Sequence, residues 1–181
     1  MKRSTIAIGL LCVLLIAPAG ATVIVPATLA ELSQDARVIA RGRVIETAPR
    51  WTGDWRSIET LVTLSTEDTL KGSAGPTVSF RVPGGQVGRY KRVVVGAPEF
   101  HIDQRVVVFL NDRGSDVPYL LGLSQGVFRL VQQNGDWMVT PAPAMATSVL
   151  PQPLARGDLA RHPLSLAEFE RNVRALVGDS R

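Results

Sequence analysis

Cysteine is almost missing from this sequence. The one cysteine, Cys12, lies inside an apolar run near the amino terminus. A chain without a second thiol can form no internal disulfide and no metal site built from several thiolates. Its stability must therefore come from the burial of apolar side chains, and a chain of 181 residues is long enough for that.

Histidine is nearly as scarce. His101 and His162 are the only two, and they lie far apart in the sequence. The segment His101-Ile102-Asp103 offers two ligands, whereas a zinc site usually needs three or four. We therefore expect no metal site and no cofactor, and we find no set of acid, base and nucleophile from which to assign catalytic residues.

No single sign of charge dominates the chain. Lys and Arg number 20 against 16 Asp and Glu, which gives a formal charge of +4. A nucleic-acid-binding domain usually concentrates its basic residues on one face, whereas Arg here is scattered among Asp and Glu. We expect a solvated surface and no nucleic-acid partner.

The amino terminus has the pattern of a secretory signal peptide. Lys2 and Arg3 precede an apolar run over residues 6–16, and Ala19-Gly20-Ala21 supplies small residues for cleavage. The run is shorter than the roughly 20 residues of a membrane-spanning helix, which argues against the alternative of an uncleaved anchor. The sequence predicts a signal peptide over residues 1–21, with no membrane contact after cleavage and a periplasmic or extracellular location.

Residues 22–140 predict a β-domain. Short apolar runs, several alternating with polar residues, are separated by turn signals rich in Gly, Pro, Asn and Asp, with no long helix between them. The run at 105–110 is apolar throughout and predicts a strand buried on both faces. This pattern is typical of an all-β, OB-like antiparallel barrel. The predicted strands cover residues 23–25, 38–44, 57–69, 77–82, 92–95, 105–110, 119–123, 127–131 and 137–140.

Two capping boxes predict helices at the ends of this domain. Thr28 and Glu31 favour a short helix over residues 28–35, and Ser165 with Glu168 favours an amphipathic helix over residues 165–178 that packs on the domain. The intervening residues 141–164 are rich in proline and predict a connection across the barrel surface.

One segment matches a hydrolase motif. Residues 122–126 read Gly-Leu-Ser-Gln-Gly, which fits the G-x-S-x-G nucleophile elbow with Ser124 at its centre. The elbow needs a helix after the serine, but residues 127–131 have the pattern of a strand. We therefore interpret the glycines as turn or bulge residues and keep a serine hydrolase as an alternative.

Two tryptophans are candidate binding residues. Trp51 and Trp55 flank Thr52-Gly53-Asp54 in a hydrophilic segment, where large rings have no evident core role. Such rings can stack on a sugar or anchor a protein interface, and they can equally fold over the end of a barrel. The sequence leaves both interpretations open.

A glycine-dense segment carries the other candidates. Residues 83–88 read Pro-Gly-Gly-Gln-Val-Gly and match neither a Walker A loop nor a dinucleotide fingerprint. The simplest interpretation is a mobile connection between strands, and the alternative is a cationic loop that meets a carboxylate or phosphate of a partner. The candidate binding residues of this segment and its flanks are Arg81, Gly84, Gly85, Arg89, Lys91 and Arg92.

The order of several motifs resembles a group of small exported bacterial proteins of unassigned function. The motifs are Ala-Arg-Val-Ile-Ala-Arg-Gly-Arg-Val at 36–44, a tryptophan, an Ile-x-Thr strand closing on Leu-Lys-Gly at 70–72, Pro-Gly-Gly at 83–85, Gly-Ala-Pro-x-Phe at 96–100, Val-Val-Phe-Leu at 107–110 and Gln-Gly-x-Phe at 125–128. The resemblance covers residues 22–140 and implies no particular activity.

The opening strand and its Leu-Lys-Gly end also resemble netrin-type modules and tissue inhibitors of metalloproteinases. In those inhibitors an amino-terminal cysteine chelates the protease zinc. This chain has Thr22-Val23 at the predicted mature terminus. The resemblance therefore implies the OB-like barrel and not the chelating mechanism.

These observations favour an exported, noncatalytic binding module for another protein, with an exported peptidase as one candidate partner. A module that binds an envelope polymer or carbohydrate, through Trp51, Trp55 and the cationic loop, is the second hypothesis. A serine hydrolase acting through Ser124 is the third.

Overall fold

The computed structural model describes residues 27–112, 114, 116–142 and 163–178. Strands dominate this part of the chain and a helix lies at each end, which confirms the all-β class with its two helices. The helices are α1 (Leu29–Asp35) and α2 (Leu166–Gly178), with a 3-10 turn at Leu123–Gly126. The strands are β1 (Val38–Trp51), β2 (Ile58–Lys71), β3 (Thr77–Pro83), β4 (Gly85–Val87), β5 (Tyr90–Arg92), β6 (Arg105–Asn111), β7 (Tyr119–Leu120), β8 (Val127–Gln133), β9 (Asp136–Pro141) and β10 (Leu164–Ser165).

Five strands form a barrel-like ring. They pair in the order β1-β2-β3-β7-β6, and β6 pairs with β1 again. The closure is partial, because β7 has two residues and meets β3 through the single pair Arg81 and Tyr119. That pair is parallel, which departs from the fully antiparallel barrel that the sequence predicts. A partly open five-stranded barrel is the OB-like architecture.

The long strand β1 bends so that it can serve two neighbours. From Ile39 to Arg43 it pairs with both β2 and β6, and from Glu46 to Trp51 it pairs with β2 alone. The register with β2 shifts at three places, which are the bulges that curve a strand around a barrel. Gly42 lies at one of them, where a Cβ atom would collide with the Ser65 carbonyl oxygen. The outer end of β1 therefore carries Trp51 beyond the body of the barrel.

The core lies on both faces of β6, as the sequence predicts for residues 105–110. One face points into the barrel and includes Val106, Val108 and Leu110. The other face includes Val107 and Phe109 and packs under β8, β9 and the two helices. All five side chains are fully buried, and each contributes roughly 1.5–3 kcal/mol of burial free energy.

The two helices are attached by caps and packing. In α1 the Thr28 hydroxyl accepts from the Glu31 amide at 3.1 Å and the Glu31 carboxylate accepts from the Thr28 amide at 2.7 Å, so the predicted capping box is present. Lys71 donates to the Ser33 carbonyl at 2.7 Å near the other end of this helix. In α2 the buried Phe169 ring lies 4.8 Å from that of Phe128, between centroids.

Ion pairs also join α2 to the barrel. Arg41 of β1 lies 3.0 Å from the Glu170 carboxylate, and Arg174 lies 2.8 Å from Asp68 of β2. Such pairs near the surface contribute little individually, about 0–1 kcal/mol. No helix in the described residues has both the length and the apolar character needed to cross a membrane.

The prediction of a strand over residues 92–95 was wrong. Strand β5 ends at Arg92, and Val93 and Val95 lie in an irregular segment with 76% and 55% of their surface exposed. The density of apolar residues predicted a strand there, but these two valines pair with no strand of the described residues and lie at the protein surface. Strand β7 is also shorter than predicted, because residues 121–123 turn into the 3-10 helix. The predicted signal peptide, the strand at 23–25 and most of the proline-rich connection lie outside the described residues.

Candidate functional site at the barrel mouth

The turn between β1 and β2 holds the two predicted tryptophans at the end of the barrel. The Thr52 amide donates to the Ser57 carbonyl and the Trp55 amide donates to the Thr52 carbonyl, both at 2.8 Å. Trp55 has a φ of +57°, which is uncommon for a bulky residue. Its side chain is 74% exposed, and its ring centroid lies 6.4 Å from that of Trp51.

The Asp54 carboxylate strengthens this turn. It accepts hydrogen bonds from the Thr52 hydroxyl and from the Arg56 amide. The Thr52 hydrogen bond, followed by that of the Arg56 amide, holds the pKa of Asp54 below its ordinary value of 3.8. The carboxylate is therefore ionised at neutral pH. Hydrogen bonds within the turn hold the segment that carries Trp55.

The glycine-dense segment forms an ordered hairpin of β4 and β5, and not the loose connection of the simplest interpretation. The Gly84 amide donates to the Ile58 carbonyl at 2.9 Å, and the Thr60 hydroxyl donates to the Gly84 carbonyl at 2.8 Å. A Cβ atom on Gly85 would lie 2.5 Å from the Thr60 hydroxyl oxygen and 3.2 Å from Pro49. Glycine at this position lets the hairpin lie directly on β1 and β2.

Tyr90 joins the hairpin to the tryptophan turn. Its ring meets Trp51 edge-on, with centroids 5.5 Å apart and planes at 65°. Arg89 donates to the Tyr90 hydroxyl at 2.9 Å and its guanidinium carbon lies 5.1 Å from the ring centroid. Tyr90 was not among the predicted binding residues, although its position between the candidates Arg89 and Lys91 was the available signal. Trp51, Trp55 and Tyr90 are called the aromatic cluster below.

The hairpin places unpaired cations beside the aromatic cluster. Arg89, Lys91 and Arg92 are all exposed. Lys91 and Arg92 form no ion pair with any described carboxylate, whereas Arg50 nearby pairs with Glu59 at 2.9 Å. An exposed Arg or Lys without a carboxylate partner is available to an anionic group of a ligand.

A cavity of about 280 Å³ lies beneath the hairpin at the barrel mouth. Its apolar wall includes Val62, Val82 and Phe100, and Lys91 and Arg92 lie along it. Ligand pockets usually measure about 300–1,000 Å³, so this cavity is at the small end of that range. It suits one inserted side chain better than a large organic cofactor.

The structure separates some of the predicted candidates from this site. Arg81 lies on β3 between Phe80 and Val82, which are buried in the barrel, so its side chain points to the opposite face, where β3 meets Tyr119. It is not part of the cavity wall. Gly84 is buried and, with Gly85, serves the close approach of the hairpin. Arg89, Lys91 and Arg92 are the candidates that lie with the tryptophans.

Ser124 has a structural setting unlike a nucleophile elbow. It lies in the 3-10 turn, is only 2% exposed and is followed by strand β8. An elbow presents an exposed hydroxyl at the start of a helix. The Ser124 amide donates to the Gly96 carbonyl at 3.0 Å, and the neighbouring Gln125 side chain accepts from the Ala27 amide at 2.7 Å. The turn thus holds together two distant segments of the chain.

No family model, curated protein or solved structure matches this chain. The resemblance to netrin-type modules and metalloproteinase inhibitors therefore stays a prediction. Among the described residues, no three His, Asp or Glu side chains come together as a metal site.

Proposed function

We propose that this chain is an exported, noncatalytic module that binds another protein through the barrel mouth. The observation that carries the proposal is the aromatic cluster, in which Trp55 is three-quarters exposed next to the unpaired cations of the hairpin. Trp, Tyr and Arg are the residues most enriched among the energetic centres of protein interfaces. Since exposed tryptophan costs free energy in water, a partner that covers it gains apolar burial.

The arrangement of the rings favours a protein over a glycan. Trp51 and Trp55 are tilted by 33°, and Tyr90 stands at 65° to Trp51. These rings form an uneven surface, while stacking on a sugar ring needs an exposed flat face. Exposed Val93, which lines the cavity under the hairpin, adds apolar surface at the barrel mouth. Such a mixture of apolar, aromatic and cationic groups is typical of protein interfaces.

An exported peptidase is one candidate partner. The motivation is the OB-like barrel, which resembles the barrel of metalloproteinase inhibitors, together with the signal-peptide pattern of residues 1–21. This version has its own test: peptidase rates from the producer's envelope and culture fluid should fall at saturating protein. Unchanged rates would remove the inhibitor version and leave the binding module.

The binding proposal is tested by affinity capture with point variants. The full chain, with a carboxy-terminal tag, is produced in its native cell and exposed to envelope extract and culture fluid. We expect one exported protein to be enriched by the wild type and lost with the double variant Trp55→Ala, Tyr90→Ala. The control is Val131→Ala, since Val131 is an exposed apolar residue on β8, outside the mouth.

Each other outcome has a definite meaning. Equal retention by wild type, double variant and control would show that the barrel mouth does not bind the partner. Retained glycan without protein, lost with the double variant, would replace the proposal by the envelope-polymer binder.

A further inference from the structure

One edge of strand β5 is free of any partner strand in the part of the chain that the structure describes. Strand β5 is the second strand of a two-stranded sheet, and within the described residues it pairs only with β4. The other side of the hairpin is occupied, because Gly85 lies against Pro49 and Thr60. All three residues of β5 are exposed to solvent. The edge is therefore accessible to another strand.

The register shows which backbone groups that edge offers. Val87 and Tyr90 flank a two-residue turn and pair with each other, and Gln86 pairs with Lys91. The residues that close a two-residue hairpin exchange hydrogen bonds, and the next pair does not, since the two kinds of pair alternate. The amide and carbonyl of Lys91 therefore point away from β4. Val93 lies two residues after Lys91, so an extended chain would direct its amide and carbonyl to the same side as those of Lys91. Val93 is 76% exposed.

The charges at this edge select the kind of strand that can pair. If a second copy of this chain added its own β5 to this edge, the same three cations would meet on both strands, namely Arg89, Lys91 and Arg92. Like charges at a strand edge oppose such pairing. An acidic strand would neutralise them. Residues 143–162, outside the described part, contain Arg156, Arg161 and a single Asp158, so they do not supply an acidic strand.

We propose that the free edge of β5 binds an extended acidic segment of the partner protein by strand addition. This inference rests on the proposed function and specifies the partner's binding segment. Main-chain hydrogen bonds to Lys91 supply part of the affinity, and the cations select acidic side chains. Because the charges are exposed, binding should weaken as added salt screens them.

The test uses peptides with altered backbones. The probe is a fluorescent ten-residue peptide that alternates Glu and Val, measured by anisotropy with the full chain at low salt. Two further peptides carry N-methyl groups on alternate amides, either on the Glu residues or on the Val residues. In a strand these two sets of amides lie on opposite edges. We expect one methylated peptide to lose affinity by about tenfold, as the loss of a hydrogen bond implies, and the other to bind like the parent.

Protein variants test the charge selection. The double variant Lys91→Glu, Arg92→Glu should lose the Glu–Val peptide and bind a Lys–Val peptide instead. The control Arg171→Glu reverses the charge of an exposed residue of α2 and should leave both affinities unchanged.

Equal binding by both methylated peptides would overturn strand addition. No binding of any acidic peptide at low salt would overturn it too. If partner capture still depends on Trp55 and Tyr90 in those cases, the proposed function stands and only the strand-addition inference is lost.

Discussion

Tyr90 and Trp51 meet edge-on with ring centroids 5.5 Å apart, although they belong to different hairpins. Their contact joins the end of β1 to β5 and so places the tryptophan turn beside the cationic edge. The close approach of Gly85 to Thr60 also holds the β4–β5 hairpin against β2. The candidate binding surface is therefore assembled by packing between two hairpins.

This junction predicts unequal effects of removing two exposed rings. Tyr90→Ala should lower the free energy of unfolding by about 1 kcal/mol, since it removes the contact with Trp51 and the hydrogen bond from Arg89. Trp55→Ala should change it by less than about 0.5 kcal/mol, because the Trp55 side chain is mostly exposed. Urea unfolding of both variants provides the measurement. A larger loss for Trp55→Ala than for Tyr90→Ala would contradict the packing described.

The second prediction concerns the close approach at Gly85. Gly85→Ala should destabilise the protein by about 1–3 kcal/mol, since its φ is +137° and a Cβ atom would lie 2.5 Å from the Thr60 hydroxyl oxygen. Thr60→Ala removes that oxygen, so a double-mutant cycle should show coupling of more than about 0.5 kcal/mol. Gly88→Ala is the control, because a Cβ atom there meets open space and its effect should add to that of Thr60→Ala. Additive energies for Gly85 and Thr60 would argue against direct contact.

The third prediction is a pH dependence at the tryptophan turn. The pKa of Asp54 is lowered chiefly by the hydrogen bond from Thr52, so its folded value lies below the unfolded one. Its stabilising contribution is therefore fully present above about pH 4 and is lost as the pH falls through the folded pKa. Thr52→Val should raise that pKa toward 3.8, measured as the midpoint of the Asp54 carboxyl carbon signal by NMR. The control Ser79→Ala, on β3, should leave the midpoint unchanged, and a midpoint at 3.8 in the wild type would refute the prediction.

The fourth prediction concerns the amino terminus. If residues 1–21 are a signal peptide, the intact mass of protein recovered from the producer's envelope or medium should correspond to a chain that begins at Thr22. Ala19→Leu should block cleavage because a large side chain does not suit the pocket for small residues, whereas Ser4→Ala should be processed normally. Recovery of wild-type chain that still carries residues 1–21 would exclude the proposed cleavage.

Much of the barrel could be predicted from residue patterns. The two-residue repeat of β3 and the unbroken apolar run of β6 report burial directly, because side chains alternate between the faces of a strand. The capping box at Thr28 is equally local, since both partners lie within one turn. These features depend on neighbours in the sequence, and the structure confirms them.

The strand predicted over residues 92–95 rested on apolar composition alone, and it was wrong. Val93 and Val95 have strand propensity, but propensity does not say whether another strand is present to pair with. The structure leaves them exposed after β5 ends. The parallel pair between Arg81 and Tyr119 could not be predicted from the sequence either, because it depends on where β3 and β7 end in space.

The sequence by itself determined the strand-rich class, the two capped helices and the presence of aromatic and cationic residues in residues 51–55 and 89–92. Only the tertiary structure decided that Tyr90 completes the aromatic cluster, that Arg81 lies apart from it and that β5 pairs with β4 alone among the described strands. The physical reason is that periodicity records which face of an element is buried. The meeting of two hairpins depends on long-range packing that no local pattern contains.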